Sequence, residues 1–76
     1  MSKITELDKR EHLITLFEKY QKFLTQTQLQ AFQLYFLEDM SYQEIANLTA
    51  TTRTAAYDSV KKAINKLERL EQKMVQ

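Results

Sequence analysis

Apolar and polar residues alternate along the chain with the period of an α-helix, and three interruptions divide the pattern into four segments. Leu13, Leu16, Phe17, Tyr20, Phe23 and Leu24 lie on one helical stripe, which Ile4 and Leu7 extend towards the N-terminus. That stripe predicts a first helix from about residue 6 to 22. Glu6 with Arg10, and Glu18 with Lys22, are acid-before-base pairs four apart, suited to its exposed face. Thr25-Gln26-Thr27-Gln28 fits a capping box and opens a second helix. Leu29, Phe32, Phe36 and Leu37, widened by Ala31, Leu34 and Tyr35, make that helix apolar on most sides, as a central helix is, up to about Glu38. Ser41-Tyr42-Gln43-Glu44 is a second capping box, followed by Ile45, Ala46 and Leu48 in a helix of about two turns. The threonine-rich run Leu48-Thr49-Ala50-Thr51-Thr52 then breaks the pattern. Thr52 can cap a fourth helix whose apolar positions are Ala56, Val60, Ala63, Leu67, Leu70 and Met74. Their spacings of 4, 3, 4, 3 and 4 form a heptad seam. At about 1.5 Å per residue this helix would be near 35 Å long, more than so small a core can cover.

Composition supports an all-α chain. Among its 76 residues there is no glycine, no proline and no cysteine. Tight hairpins and phosphate-cradling loops mostly need glycine at positive φ. Without cysteine there is no disulfide framework, thiolate metal site or cysteine nucleophile. The length allows one small domain, residues 1–76, with a thin core. No apolar run approaches a membrane span, and the N-terminus lacks the apolar segment of a signal peptide, so the chain is expected in the cytoplasm.

Short helix, turn and long helix together make a helix-turn-helix, here at about residues 42–66. In that motif the first helix braces the second, which enters the DNA major groove. Ile45 faces the core, Ala46 permits close approach, and Ala56 and Val60 are the inner contacts of the second helix. Its exposed N-terminal residues are Thr52, Arg53, Thr54, Tyr57 and Asp58, with Lys61 and Lys62 one turn on. Arg53 can fork onto a phosphate or a guanine edge. Thr52 and Thr54 suit phosphates at a helix N-terminus. Tyr57 suits a phosphate or a thymine methyl, and Lys61 and Lys62 suit the backbone. Asp58 opposes this unless it pairs with Lys62 or accepts from a cytosine amine.

Net charge separates the possible partners only weakly. Eleven bases stand against ten acids, a formal +1. Residues 41–76 carry six bases and four acids, so the small basic excess lies in the second half. That is little for tight non-specific DNA binding, which depends on phosphate neutralisation.

The segments LFEKYQKFLT, LQAFQLYFLEDMSYQEIA and TTRTAAYDSVKKAINKLE resemble the YlxM-type proteins of Gram-positive bacteria and mollicutes over about residues 13–70. The most specific pieces are Leu34 to Ser41, Glu44-Ile45-Ala46, and Arg53 with Ala55-Ala56-Tyr57-Asp58 and Lys61-Lys62. The same region is similar, more loosely, to region four of the main bacterial sigma factors, which binds promoter DNA. The resemblance implies an all-helical fold with a helix-turn-helix and a long last helix. It also implies a regulatory link to the signal recognition particle or its receptor GTPase, because the family's gene usually lies beside theirs. It carries over Arg53, Tyr57, Asp58, Lys61 and Lys62 as recognition residues and no catalytic residue. Typical members continue beyond the last residue of this sequence, so the resemblance implies a partner surface of which part is expected to be missing here. Where the family usually has an aromatic and a valine in the turn, this chain has Thr49 and Thr51. Two apolar anchors are therefore absent, with Leu48 a partial substitute. Ala50 stands where glycine or asparagine tolerates positive φ more easily.

The remaining features have ordinary structural readings. The aromatic cluster from Phe17 to Tyr42 is core, and only Tyr57 is placed beside bases for stacking. His12 is a surface residue, and Glu38-Asp39 a solvated pair or a weak partner contact. The seam's distal half, Leu67, Leu70 and Met74, either folds back over the first helix or meets a second chain, and a homodimer is the favoured expectation. No nucleophile with a base, metal-ligand spacing or glycine loop points to an enzyme, a metal or another cofactor. Two functions compete: a regulator that reads double-stranded DNA through residues 52–62, and a module that modulates the targeting GTPases without binding DNA.

Overall fold

The computed structural model describes residues 6–74, with side chains from Lys9 onward. It contains α1 (Glu6–Tyr20), α2 (Gln26–Phe32), α3 (Tyr42–Thr49) and α4 (Arg53–Met74). A 3-10 turn (Gln21–Phe23) follows α1, and a π turn (Gln33–Leu37) prolongs α2. No strand occurs among the described residues, and no helix there is long and apolar enough to cross a membrane. Ile4 lies outside the described residues, as does the side chain of Leu7.

Three helices start where a short polar side chain replaces the missing intrahelical acceptor. Thr25 Oγ1 accepts from the Gln28 amide while Gln28 Oε1 accepts from the Thr25 amide, each at 3.1 Å. Ser41 and Glu44 make the same reciprocal pair at 3.1 and 2.8 Å. Thr52 Oγ1 accepts from the Ala55 amide at 3.0 Å and opens α4. Such caps stabilise a helix start by about 1 kcal/mol each.

The core is apolar throughout and assembled from every helix. Phe32 is 0% exposed. Its ring stacks on Phe17 of α1 at 4.5 Å and on Phe36 of the π turn at 4.4 Å. The predicted aromatic core is thus present in Phe17, Phe32 and Phe36, whereas Phe23, in the 3-10 turn, is turned outward. Ile45 and Ala46 of α3 and Ala56, Val60, Ala63 and Leu67 of α4 complete the core. Alanines at 46, 56 and 63 leave no bulk between the axes, so α4 packs closely on α1, α2 and α3. With 22 residues, α4 is about 33 Å long.

The end of α2 departs from the predicted regular helix. The Glu38 amide donates to the Gln33 carbonyl at 3.1 Å, five residues back, which widens the last turn. Asp39 then takes φ 58°. Arg10 of α1 donates to the Phe36 carbonyl and the Asp39 carboxylate, and its guanidinium lies over the Phe36 ring. These contacts tie α1 to the loop; the expected pairing of Arg10 with Glu6 lies outside the described side chains. Glu38 and Asp39 are both exposed, as expected of a solvated pair, and Asp39 also makes the ion pair with Arg10.

The turn before α4 follows the expected backbone with different anchors. Ala50 takes φ 58° and ψ 42°, and the amides of both Ala50 and Thr51 donate to the Ala46 carbonyl. Leu48 is 61% exposed and does not substitute for the absent apolar anchors. Hydrogen bonds hold the turn instead. Thr49 Oγ1 donates to the Ile45 carbonyl at 2.7 Å and lies 3.1 Å from Thr51 Oγ1. Alanine in the left-handed region costs about 1 kcal/mol relative to glycine, part of which the greater freedom of unfolded glycine offsets. Ala50→Gly is therefore expected to raise folding stability by about 0.5 kcal/mol, read as a higher urea midpoint with unchanged slope. A lower midpoint would contradict strain at this residue.

The distal half of α4 folds back on α1. Leu67 is 0% exposed, so the expected placement of Leu67 in a dimer seam is corrected: it is a core residue of the single chain. Leu70 is half-buried, and Met74 is 54% exposed. His12 Nε2 lies 3.1 Å from Glu71 Oε2 and joins the two helices at the surface.

Candidate nucleic-acid interface

Arg53, Tyr57 and Lys61 follow one another at intervals of four, so they form one ridge along the first turns of α4. Thr54, Asp58 and Lys62 occupy the adjacent outer face. All six are exposed, because Ala56, Val60 and Ala63 face inward on the other side of the helix. α3 packs across this start of α4, the brace expected of a helix-turn-helix. Tyr57 is 47% exposed, and its ring meets Tyr42 of α3 edge-on at 5.1 Å. Arg53, Thr54, Tyr57 and Tyr42 line a shallow depression of about 290 Å³.

The charges on this face are only partly paired. Arg53 and Lys61 form no ion pair among the described residues. Asp58 pairs with Lys62, its Oδ2 lying 3.1 Å from Nζ, which offsets the one acid on the face. The Thr52 hydroxyl caps α4 through the Ala55 amide and keeps its own proton free to donate.

Two further features mark the surface. The first is a stack of tyrosines. Tyr35 of the π turn lies parallel to Tyr42 at 4.7 Å, and Tyr42 leads on to Tyr57. Burial, reinforced by the Tyr35 hydrogen bond and the neighbouring phenols, holds the Tyr42 hydroxyl protonated, with its pKa pushed up to about 12. Since these residues come from three separate elements, no local spacing announces them. The second is a basic stripe. Lys62, Lys66, Arg69 and Lys73 recur at intervals of four, three and four on one side of α4, while Glu68 and Glu71 lie on another. Here the spacing was visible in the sequence, but the apolar seam with the same period dominated the pattern.

The matches to known proteins agree with this geometry. A family described as UPF0122, "putative helix-turn-helix protein, YlxM / p13 like", matches residues 7–75. The chain belongs to the UPF0122 family. UPF0122 proteins of Bacillus cereus strain AH187, Bacillus anthracis strain A0248 and Bacillus thuringiensis subsp. konkukian strain 97-27 are each similar to it. Each is 41% identical over 69 residues, which cover 91% of this chain and 63% of the relative. The chain thus spans less than two thirds of the length of these UPF0122 relatives. No solved structure matches it.

Proposed function

We propose that this UPF0122 chain is a cytoplasmic helix-turn-helix regulator of the protein-targeting pathway that binds double-stranded DNA without a catalytic step or a cofactor. The observation that carries this reading is the ridge of Arg53, Tyr57 and Lys61. It is exposed at the start of α4, braced by α3, and has two cations without ion-pair partners among the described residues. In the bound state the first turns of α4 enter the major groove. Arg53 reaches a base edge or a phosphate, Thr52 and Thr54 donate to the backbone, and Lys61 and Lys62 neutralise phosphates. Leu70 and Met74 are the seam residues through which a second copy would join, presenting two such units to a two-fold site.

Arginine and lysine on this ridge have distinguishable roles. Arg53→Ala is expected to weaken binding by about 1–3 kcal/mol and relax sequence preference. Lys61→Ala is expected to weaken binding equally on all sequences and to reduce the salt slope by about one. Fluorescence anisotropy with labelled duplexes at several salt concentrations checks both; wild-type affinity in both variants would remove this ridge from the interface.

One observation favours a second reading, a module that docks on the signal recognition particle or its receptor GTPase. The stripe from Lys62 to Lys73 extends roughly 16 Å along α4 and continues away from the N-terminal turns that a helix-turn-helix presents to DNA. An acidic protein surface complements it. Retention of pathway binding in Arg53→Ala, with loss after reversal of Lys66 and Arg69 to glutamate, would favour that reading.

A further inference from the structure

α1, the π turn, α3 and α4 meet at a groove of about 650 Å³. Tyr35, Tyr42 and Tyr57 line it. Lys9 of α1 and Lys61 of α4 line it as well. Neither lysine has an ion-pair partner among the described residues. Arg10 also lines the groove, but its guanidinium is committed to the Phe36 carbonyl and Asp39, so it fixes the wall and leaves the two lysines as the free charges.

The geometry points to a binding site for a nucleoside phosphate in this groove, with the base against the tyrosines and the phosphate between Lys9 and Lys61. Each part of that ligand has a counterpart. Tyr35, Tyr42 and Tyr57 contact one another at 4.7 and 5.1 Å, so a base adds to this group from outside, with no room between the rings, against the ring of Tyr57, which is 47% exposed. The anion is matched by two ammonium groups and by the phenol hydroxyls. The groove volume is within the range that holds a small organic ligand. An apolar ligand would leave both lysines idle, and inorganic phosphate alone would leave the tyrosines uncovered.

This site is separable from the DNA reading through Lys9, which lies on α1 outside the recognition ridge. The same chemistry can arrive as a free nucleotide or as one unit of a single strand. The test is a titration followed by the tyrosine ring resonances. The probes are the four ribonucleoside diphosphates, adenosine, inorganic phosphate and a tetradeoxyadenylate. The expected result is a saturable shift of Tyr35, Tyr42 and Tyr57, with Tyr20 unmoved, for at least one diphosphate, and at least tenfold weaker binding of adenosine and of phosphate. The same three shifts with the oligonucleotide alone would assign the strand as the source. Lys9→Ala is expected to lower affinity about fivefold. Tyr42→Leu is expected to lower it about tenfold. Lys9 is exposed, so its variant tests the site even where Tyr42→Leu fails to fold. No saturable shift with any nucleotide probe, phosphate binding as tightly as the nucleotides, or undiminished affinity in Lys9→Ala would each overturn the assignment. Duplex binding measured on Lys9→Ala in parallel keeps failure of this site distinct from failure of the DNA reading.

Discussion

Phe32→Ala is expected to remove about 3–5 kcal/mol of folding stability. Phe32 is 0% exposed and stacked between Phe17 and Phe36, so its ring joins α1, α2 and the π turn at one point. Truncation forfeits both ring contacts and leaves a cavity that three helices cannot all close. A domain of this length has only about 4–11 kcal/mol in total. The loss corresponds to a fall in melting temperature of about 15–30 °C. Circular dichroism on heating should therefore show a much lower transition or none. A change below about 1 kcal/mol would mean that the helices are not organised around this residue.

Leu67→Ala tests where the long helix finds its support. Leu67 is 0% exposed within one chain, so its truncation is expected to cost about 2–5 kcal/mol. That cost should be independent of protein concentration, since the lost contacts are intramolecular. Melting curves across a hundredfold range of concentration check it. If instead the variant melts like the wild type at low concentration, and differs only where copies associate, Leu67 belongs to a seam between chains. The single-chain packing described above would then be wrong at this end of α4.

The features legible in the sequence are those decided by neighbours a few residues apart. Thr25, Ser41 and Thr52 mark helix starts because a cap needs only its own hydroxyl and an amide three residues on. The inward positions of α3 and α4 follow from helical period, as does the outward ridge of Arg53, Tyr57 and Lys61. The strain at Ala50 was legible from the turn, because the backbone there must reverse whichever residue occupies it.

What escaped the sequence depends on contacts between distant segments. The seam of α4 reads equally well as a dimer stripe or as a core stripe. Only the position of α1 places Leu67 in the core, and the His12–Glu71 contact reinforces that placement across 59 residues of chain. The contact of Arg10 with Asp39 joins residues 29 apart in the chain, since the π turn brings that carboxylate to α1, and local spacing gives no sign of it. The tyrosine stack joins residues 35, 42 and 57, and the lysines that line the same groove are residues 9 and 61, so no single window contains the groove. Leu48 illustrates the converse. Its apolar character suggested an anchor in the turn, but two threonine hydroxyls secure that turn locally, and Leu48 is left in solvent.

The most direct measurement is anisotropy of labelled duplex DNA, from the protein's own upstream region and of scrambled sequence, titrated with the protein across a salt series. Tighter binding to the upstream duplex is expected. The logarithm of the binding constant is expected to fall steeply and linearly with the logarithm of salt concentration, as Arg53, Lys61 and Lys62 displace counterions. Absence of duplex binding even at low salt would contradict this expectation, and the proteins of the targeting pathway would become the partners to test.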